Sequence, residues 1–455
     1  MKHHKIIRQV NTRWGKRAMA AGAAVLTLFG SVGAGVTTAS SAGAATKVTG
    51  TLSVLYLDGE RNPALWVKMF KKEYPGVTVN VSTESNQAKT GEALITLTSP
   101  NPPDVAFLNP NTTVYFKLLA AHDLAPLTSV WDADNLGKAY GASVSSAVLV
   151  KGVPYVLPFD ETYYNIVYYN IDLFKKLGIA QPPNHRFPSF AALFSAASTL
   201  QKAGYSGLAM AGTSGYQATW LVDTLLDTAA TPAQYANYLQ NYQTKVPIRV
   251  SYTSQPFIRA LEAENALAQH KIFQPGFMGV NSDGPTDSMF AAGRAGMLLD
   301  GEYTVAGLQQ DGMKFHLGWA LLPPVPGSSE QNVPSLFIGD AFAVPAKAAN
   351  TKLAQLFLDL VMSEEGQAAN LTVDALPVTD NVPSSNYSGL GPVVDSQVAF
   401  VGQYGGQLGW SGYVPYQYGE TFSDPLVQEM LDGTLTPAKV AAKVQAAFEA
   451  FKSGQ

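Results

Sequence analysis

The 455 residues are 46% apolar and only 14% charged, with 34 acidic against 30 basic side chains and no cysteine. The length fits two or three domains or one large two-lobed body, and the apolar fraction excludes wholesale disorder. The missing cysteine excludes disulfides, thiolate metal sites, iron–sulfur clusters, a cysteine nucleophile and a lipidated N-terminal cysteine.

Six basic residues (Lys2, Lys5, Arg8, Arg13, Lys16 and Arg17) fall in the first 44 positions, with no acid among them. Without them 24 basic residues face 34 acidic ones, a net of −10. A body of that sign repels phosphate backbones, so nucleic acid is not an expected partner. Residues 1–45 read as a secretory leader: a basic stretch, an Ala-rich apolar run from Ala18 to Val36, then Ala42-Gly43-Ala44, which fits an A-x-A cleavage site. The competing reading is a membrane anchor. Gly22, Gly30, Gly33 and Gly35 interrupt the run, however, and no charged stop follows. Lys16–Arg17 is not a twin-arginine pair, so ordinary export and a mature chain outside the cytoplasm are expected. No second run of 18 apolar residues occurs, so the mature body is not expected to span a membrane.

The body opens with Thr51–Leu57, a near-continuous apolar run suited to a strand covered on both faces. Asn62 suits an N-cap and Pro63 the first helical position, with Trp66, Met69 and Phe70 on one face and Tyr74-Pro75-Gly76 as the stop. Val77, Val79 and Val81 alternate as a second strand, and Pro103–Leu108 makes a third before a helix carrying Val114, Phe116, Leu118 and Leu119. This order implies a mainly parallel sheet with helices on both faces. A second α/β region begins near Tyr163. Ile166–Tyr169 reads as a strand, Leu173–Leu177 as a short helix closed by Gly178, and Ser189 as the cap of a helix ended by Gly204. Tyr252–His270 is helical, Gly318–Leu322 is a strand stopped by prolines, and Phe337–Val344 is a strand interrupted at Gly339-Asp340. Leu353, Leu356, Phe357, Leu360 and Val361 form a helical stripe. The tail is an amphipathic helix capped by Thr436, with Val440, Val444, Phe448 and Phe451 on one face.

Catalytic motifs fail: there is no H-E-x-x-H, no P-loop and no G-x-S-x-G. His122, His185, His270 and His316 are scattered singly, without metal-ligand spacing. Neither a metal nor a cofactor is expected. What remains is carboxylates, amides and rings at strand ends: Asp58, Glu60, Asn109, Asp160, Glu161, Tyr163, Asp300, Glu302, Tyr303 and Asp340. In open α/β sheets, ligands bind beyond the carboxyl ends of strands. The chemistry suits a sugar, whose hydroxyls pair with carboxylates and amides while its apolar face stacks on a ring. Strand-end Asp and Asn are equally ordinary turn formers. Tyr404, Trp410, Tyr413, Tyr416 and Tyr418 lie in a Gly-rich stretch without period, which favours rings presented from a loop. Tyr216 and Trp220, one helical turn apart, serve either a site or the core.

Nine segments in order, among them TLSVLYLDGE at Thr51, PDVAFLN at Pro103, KGVPYVLPFDETYYNIVYYNIDLFKKLG at Lys151, MFAAGRAGMLLDGEY at Met289 and FIGDAFAVPAKAAN at Phe337, carry a resemblance over nearly the whole mature chain. It resembles the extracellular solute-binding proteins of ABC importers, in the carbohydrate-binding group related to maltose-binding protein. The resemblance implies the two-lobed α/β periplasmic-binding-protein fold (type II), each lobe a mainly parallel sheet flanked by helices, hinged around a ligand. Carried over, one lobe is residues 46–159 plus 341–382 and the other 160–340 plus 383–455, with crossings near Pro158–Thr162, Ile338–Ala341 and Pro377–Pro383. It also implies that Tyr303 is the cleft aromatic, here after the acidic Asp300-Gly301-Glu302. Glu161 falls near a sugar-binding carboxylate of the hinge, Asn109 matches a polar residue after the PDV strand, and Trp410 lies near a late cleft aromatic. The implied partners are a mono- or oligosaccharide and the transmembrane permease, for a monomeric receptor that is not an enzyme. Two rivals remain at this point. One keeps the fold but binds a polyamine or ferric ion; the other is a secreted glycoside hydrolase, which requires two carboxylates facing one bond.

Overall fold

The computed structural model describes residues 48–453 except 58–60, 85–91, 111, 141–143, 146–147, 242–248, 329, 331, 338–339, 374–375, 380, 388–390 and 415–419. The expected leader, together with Asp58, Glu60, Tyr416 and Tyr418, lies outside the described residues. No helix among the described residues is long and apolar enough to cross a membrane.

Two sheets organise the chain. The first holds β1 (Gly50–Leu57), β2 (Val77–Glu84), β3 (Val105–Phe107), β4 (Val156–Pro158) and β11 (Ala341–Ala343), in the order β2-β1-β3-β11-β4. The second holds β6 (Ile166–Asn170), β7 (Ser206–Ala209), β8 (Ala295–Asp300) and β9 (Leu317–Leu321), in the order β9-β6-β8-β7. β1 pairs in parallel with β2, Gly50 against Val77 through Leu57 against Glu84, as expected of strands joined through a helix. That helix, α1 (Asn62–Glu73), buries Trp66, Val67 and Phe70, and Trp66 packs edge-on against Phe159 at 5.1 Å. Asn62 is not its cap. Arg61 takes that position without a side-chain capping bond, and Asn62 turns inward to a buried aspartate described below.

The sheets are mainly parallel, as expected, with one strand reversed in each. β11 runs antiparallel to both β3 and β4, and β6 runs antiparallel to both β8 and β9. The reason is connectivity: these strands enter their sheets from the other side of the molecule, not through a local strand–helix–strand turn. The stretch Phe337–Val344 is likewise two strands. β10 (Ser335–Phe337) pairs antiparallel with β5 (Thr162–Tyr164), and β11 continues into the first sheet beside β4. Phe337 pairs with Thr162 and Ala341 with Pro158, so one antiparallel ribbon runs through both connections between the sheets. The Phe159 N–H donates to the Asp340 carbonyl at 2.8 Å within it. Leu376 joins alongside, its carbonyl accepting from the Glu161 N–H at 2.9 Å.

Helices cover both faces of each sheet. α2 (Phe190–Lys202), α3 (Gln217–Ala229), α4 (Gln255–Gln269) and the C-terminal α5 (Pro437–Ser453) supply one large core against the second sheet, with Val440, Val444 and Phe448 buried as their spacing predicted. Ser189 caps α2 by accepting from the Ala192 N–H. The stripe on Thr351–Met362 packs Leu353, Phe357 and Val361 into the core of the first sheet.

Candidate functional site

The ribbon brings two polar corners together. On the first-sheet side, Asp160 is 7% exposed, and its carboxylate accepts from the Asp340 N–H at 2.8 Å and from Asn62 Nδ2 at 3.1 Å. Asn109, directly after β3, donates Nδ2 to Asp340 Oδ1 at 2.9 Å. Asn370 and Gln367 donate to the Phe159 carbonyl at 2.7 and 3.1 Å. Asp340 and Glu161 remain partly exposed at this corner. Burial, then the neighbouring Asp340, drives the Asp160 carboxyl well above the usual carboxylate range.

On the second-sheet side, β8 ends at Asp300, and Gly301-Glu302-Tyr303 lead into a helix. A side chain at Gly301 would collide with the Tyr303 ring, so this tight exit requires glycine. Glu302 turns inward and accepts from the Tyr163 N–H at 2.5 Å, while its own N–H donates to the Tyr163 carbonyl at 2.9 Å. This clamp fixes the end of β8 to the crossing strand. Burial pushes the carboxyls of both Glu302 and Asp300 well above the ordinary range. Tyr216 and Tyr303 stay partly exposed and hydrogen-bond each other. The Tyr216 hydroxyl also bonds Asp283, and its ring packs 4.6 Å from that of Trp220. Trp220 in turn lies 6.2 Å from partly exposed Phe337, the last residue before the second crossing. Arg61 connects the two sides by donating to the Tyr303 carbonyl at 3.3 Å.

Of the residues expected from sequence, Glu161, Asp340, Tyr216 and Tyr303 are thus partly exposed around the ribbon. Asn109, Asp160, Trp220 and Asp300 stand buried behind them. Tyr163 and Glu302 do not face outward: the Tyr163 ring sits in an apolar core, and both residues serve the backbone clamp. The loop-presented reading of Trp410 is overturned. Trp410 is fully buried in a helical turn (Trp410–Tyr413), its indole N–H donates to the Tyr252 hydroxyl at 3.1 Å, and Phe257 packs edge-on at 5.3 Å. Glycine enters that turn because side chains there would collide with neighbours. A Cβ at Gly409 would strike the Tyr164 hydroxyl, and one at Gly412 the Phe337 ring. Tyr413 belongs to the same turn, and its side chain is outside the described residues. Sequence reading missed Arg61, Phe337, Asp283 and Asp287. None follows a strand end in a recognisable motif, and a charged residue near a helix start is most often a solvated one. Among the described residues no cluster of His, Asp or Glu is arranged to hold a metal ion.

Three comparisons with known proteins bear on this arrangement. Residues 57–368 match the family described as bacterial extracellular solute-binding protein. An uncharacterised ABC transporter extracellular-binding protein of Pyrococcus horikoshii is 22% identical over 324 residues, covering 70% of this chain and 69% of its own. Among solved structures, a chitin oligosaccharide binding protein superposes with a TM-score of 0.73 at 18% identity, over 89% of this chain and 100% of its own. A maltose-bound MalE3 of T. maritima gives 0.68 at 18% identity, over 88% and 99%. Both share the two-lobed fold.

Proposed function

The chain belongs to the bacterial extracellular solute-binding proteins, and from that membership we propose that it is the sugar-binding component of an ABC importer. It traps a mono- or oligosaccharide between its halves and hands it unaltered to a membrane permease. The observation that carries this reading is the meeting of partly exposed rings (Tyr216, Tyr303 and Phe337) with partly exposed carboxylates (Glu161 and Asp340) at the ribbon joining the two sheets. Rings offer apolar area to a pyranose face, and carboxylates accept from its hydroxyls. The saccharide-binding proteins of the same fold support the ligand class.

Mechanically, the lobes are residues 46–159 plus 341–382 and 160–340 plus 383–455, and the ribbon is the hinge. Closure is favoured only by contacts both lobes make to the sugar, because a ligand held equally in open and closed states shifts nothing. The Arg61–Tyr303 bond joins the two sides in this structure. Export through the N-terminal leader places the protein outside the cytoplasm, where such a receptor works.

A thermal-shift screen of maltotriose, chitobiose, xylobiose, raffinose, galactose, spermidine and ferric citrate tests the reading. Saturation at about 100 times the dissociation constant adds about 2.7 kcal/mol, so one or a few saccharides raise the melting temperature by several degrees. A shift with spermidine or iron alone overturns it, and so does conversion of an oligosaccharide into smaller sugars.

A further inference from the structure

We propose that Asn165 is a positioning residue that locks the ring wall of Tyr216 and Trp220 to the hinge ribbon, so that saccharide capture depends on a side chain buried behind the platform. The inference rests on the reading of that wall as the ligand platform and of the ribbon as the hinge, and names what ties one to the other.

β5 belongs to the ribbon and β6 to the second sheet, and Asn165 is the single residue between them. Its φ is +61°, in the left-handed region that L residues other than glycine adopt reluctantly. Six other non-glycine residues among the described ones share a positive φ, and all six are exposed or partly exposed. Asn165 is 3% exposed. A strained backbone inside the protein persists only where its surroundings fix it.

The side chain provides that fixation. A carbonyl oxygen carries no hydrogen, so Asn165 turns Nδ2 toward the Trp220 carbonyl, and it also donates to Thr224 Oγ1 at 2.6 Å. Both partners lie on one turn of α3. Thr224 Oγ1 also bonds Ser335 Oγ at 2.6 Å, and Ser335 of β10 pairs with Tyr164 of β5. Tyr164 packs its ring 4.1 Å from that of Trp220 and donates its hydroxyl to Asp223 Oδ2 at 2.7 Å. Asp223 is held in turn by the Ser411 N–H at 2.8 Å and the Ser411 hydroxyl at 2.6 Å.

The turn Trp220–Thr224 is therefore bonded to both ribbon strands at the point where the chain leaves the ribbon. Tyr216 stands one turn earlier on the same side, its ring 4.6 Å from that of Trp220. With the amide in place, the wall keeps its position relative to the ribbon that carries Glu161 and Asp340. Without it, α3 shifts against the ribbon, and rings and carboxylates no longer meet one sugar together.

The full-length N165G protein isolates the amide, because glycine adopts the positive φ freely and only the grip is lost. Calorimetry with maltotriose, chitobiose and raffinose is expected to show, for whichever of them binds, an affinity roughly tenfold below wild type, with N165G/Y216A binding about as Y216A does. A purely structural role lowers the urea midpoint and leaves the affinity of the folded protein unchanged; that result overturns the proposal, as do fully additive losses in the double variant. In the ligand-free state, hydrogen exchange in N165G is expected to quicken in α3 and β10 together, while the helix Thr351–Met362 keeps its protection. Quickening in only one of the two, or in neither, overturns the lock. If none of the three sugars binds wild type, the platform reading has failed, and hydrogen exchange alone decides whether Asn165 ties α3 to the ribbon.

Discussion

Asp160 and Asp300 both follow or end strands beside the same ribbon and are both nearly withdrawn from water, yet they are bonded to different extents. Asp160 meets N–H groups, from the Asp340 backbone and the Asn62 amide, and Asn370 and Gln367 tie the same corner to the Phe159 carbonyl. Asp300 accepts one N–H, from Gly301, through Oδ1, and its Oδ2 has no hydrogen-bond partner among the described residues. Burial raises both carboxyls well above the ordinary range, and the N–H bonds to Asp160 offset part of that rise. The first corner is therefore the more fully bonded joint between two chain crossings, and the second leaves one carboxyl oxygen without a donor.

The largest test of that contrast is stability against pH. Glu264 extends the second pattern into the core. It is fully buried, neither oxygen has a donor among the described residues, and burial first, then Asp424 and Asp223, raises it well above the ordinary range. Such groups keep their protons in the folded state while the unfolded chain loses them above about pH 4. The folded state then binds more protons, so stability falls as pH rises, by about 1.4 kcal/mol per unit for each group still protonated. Their stabilising contribution is complete below the unfolded range and is lost on the way up through the raised one. Urea unfolding is expected to give a more stable protein near pH 5 than near pH 8, with E264Q flattening the decline. Stability that is level or rising over that interval would sink the account.

The next test applies one substitution to both corners. D160N replaces an acceptor with a donor facing Asn62 and costs about 1–2 kcal/mol near neutral pH, read from the urea midpoint. D300N removes a buried carboxyl whose Oδ2 has no donor among the described residues and is neutral or stabilising at alkaline pH. Equal losses at both positions would erase the distinction. On the ring wall, Y216A is expected to weaken the tightest-binding saccharide by roughly tenfold in calorimetry, with loss of a stacking face. The smallest effect belongs to R61A. It removes one partly exposed bond between the two sides, costs about 0.5 kcal/mol of stability, and weakens saccharide binding more than folding.

Much of this architecture was legible locally. The cap Ser189, the stop at Gly178, the stripe from Leu353 to Val361 and the tail helix all rest on partners within one or two turns, and periodicity reads those directly. The interruption at Gly339-Asp340 was also visible, as a break. That the break is a passage between sheets was not, because it depends on β10 and β11 pairing with strands about 180 residues earlier. Trp410 shows the same limit in the aromatic stretch. A glycine-rich run reads as a loop, but its glycines here admit the Tyr164 hydroxyl and the Phe337 ring beside a fully buried indole.

By itself the sequence determined the α/β class, the chain order of the elements, the family and the kind of side chain available at the strand ends, because each follows from spacing along the chain. Only the tertiary structure decided the one reversed strand in each sheet and the burial of Asp160, Asp300 and Glu302. Whether a carboxyl ends well supplied with N–H bonds, as a backbone clamp or with an oxygen lacking a donor is set by the groups that packing brings to it. Those donors come from residues far apart in the chain: Asn109 reaches Asp340 across 231 positions, and Tyr163 reaches Glu302 across 139.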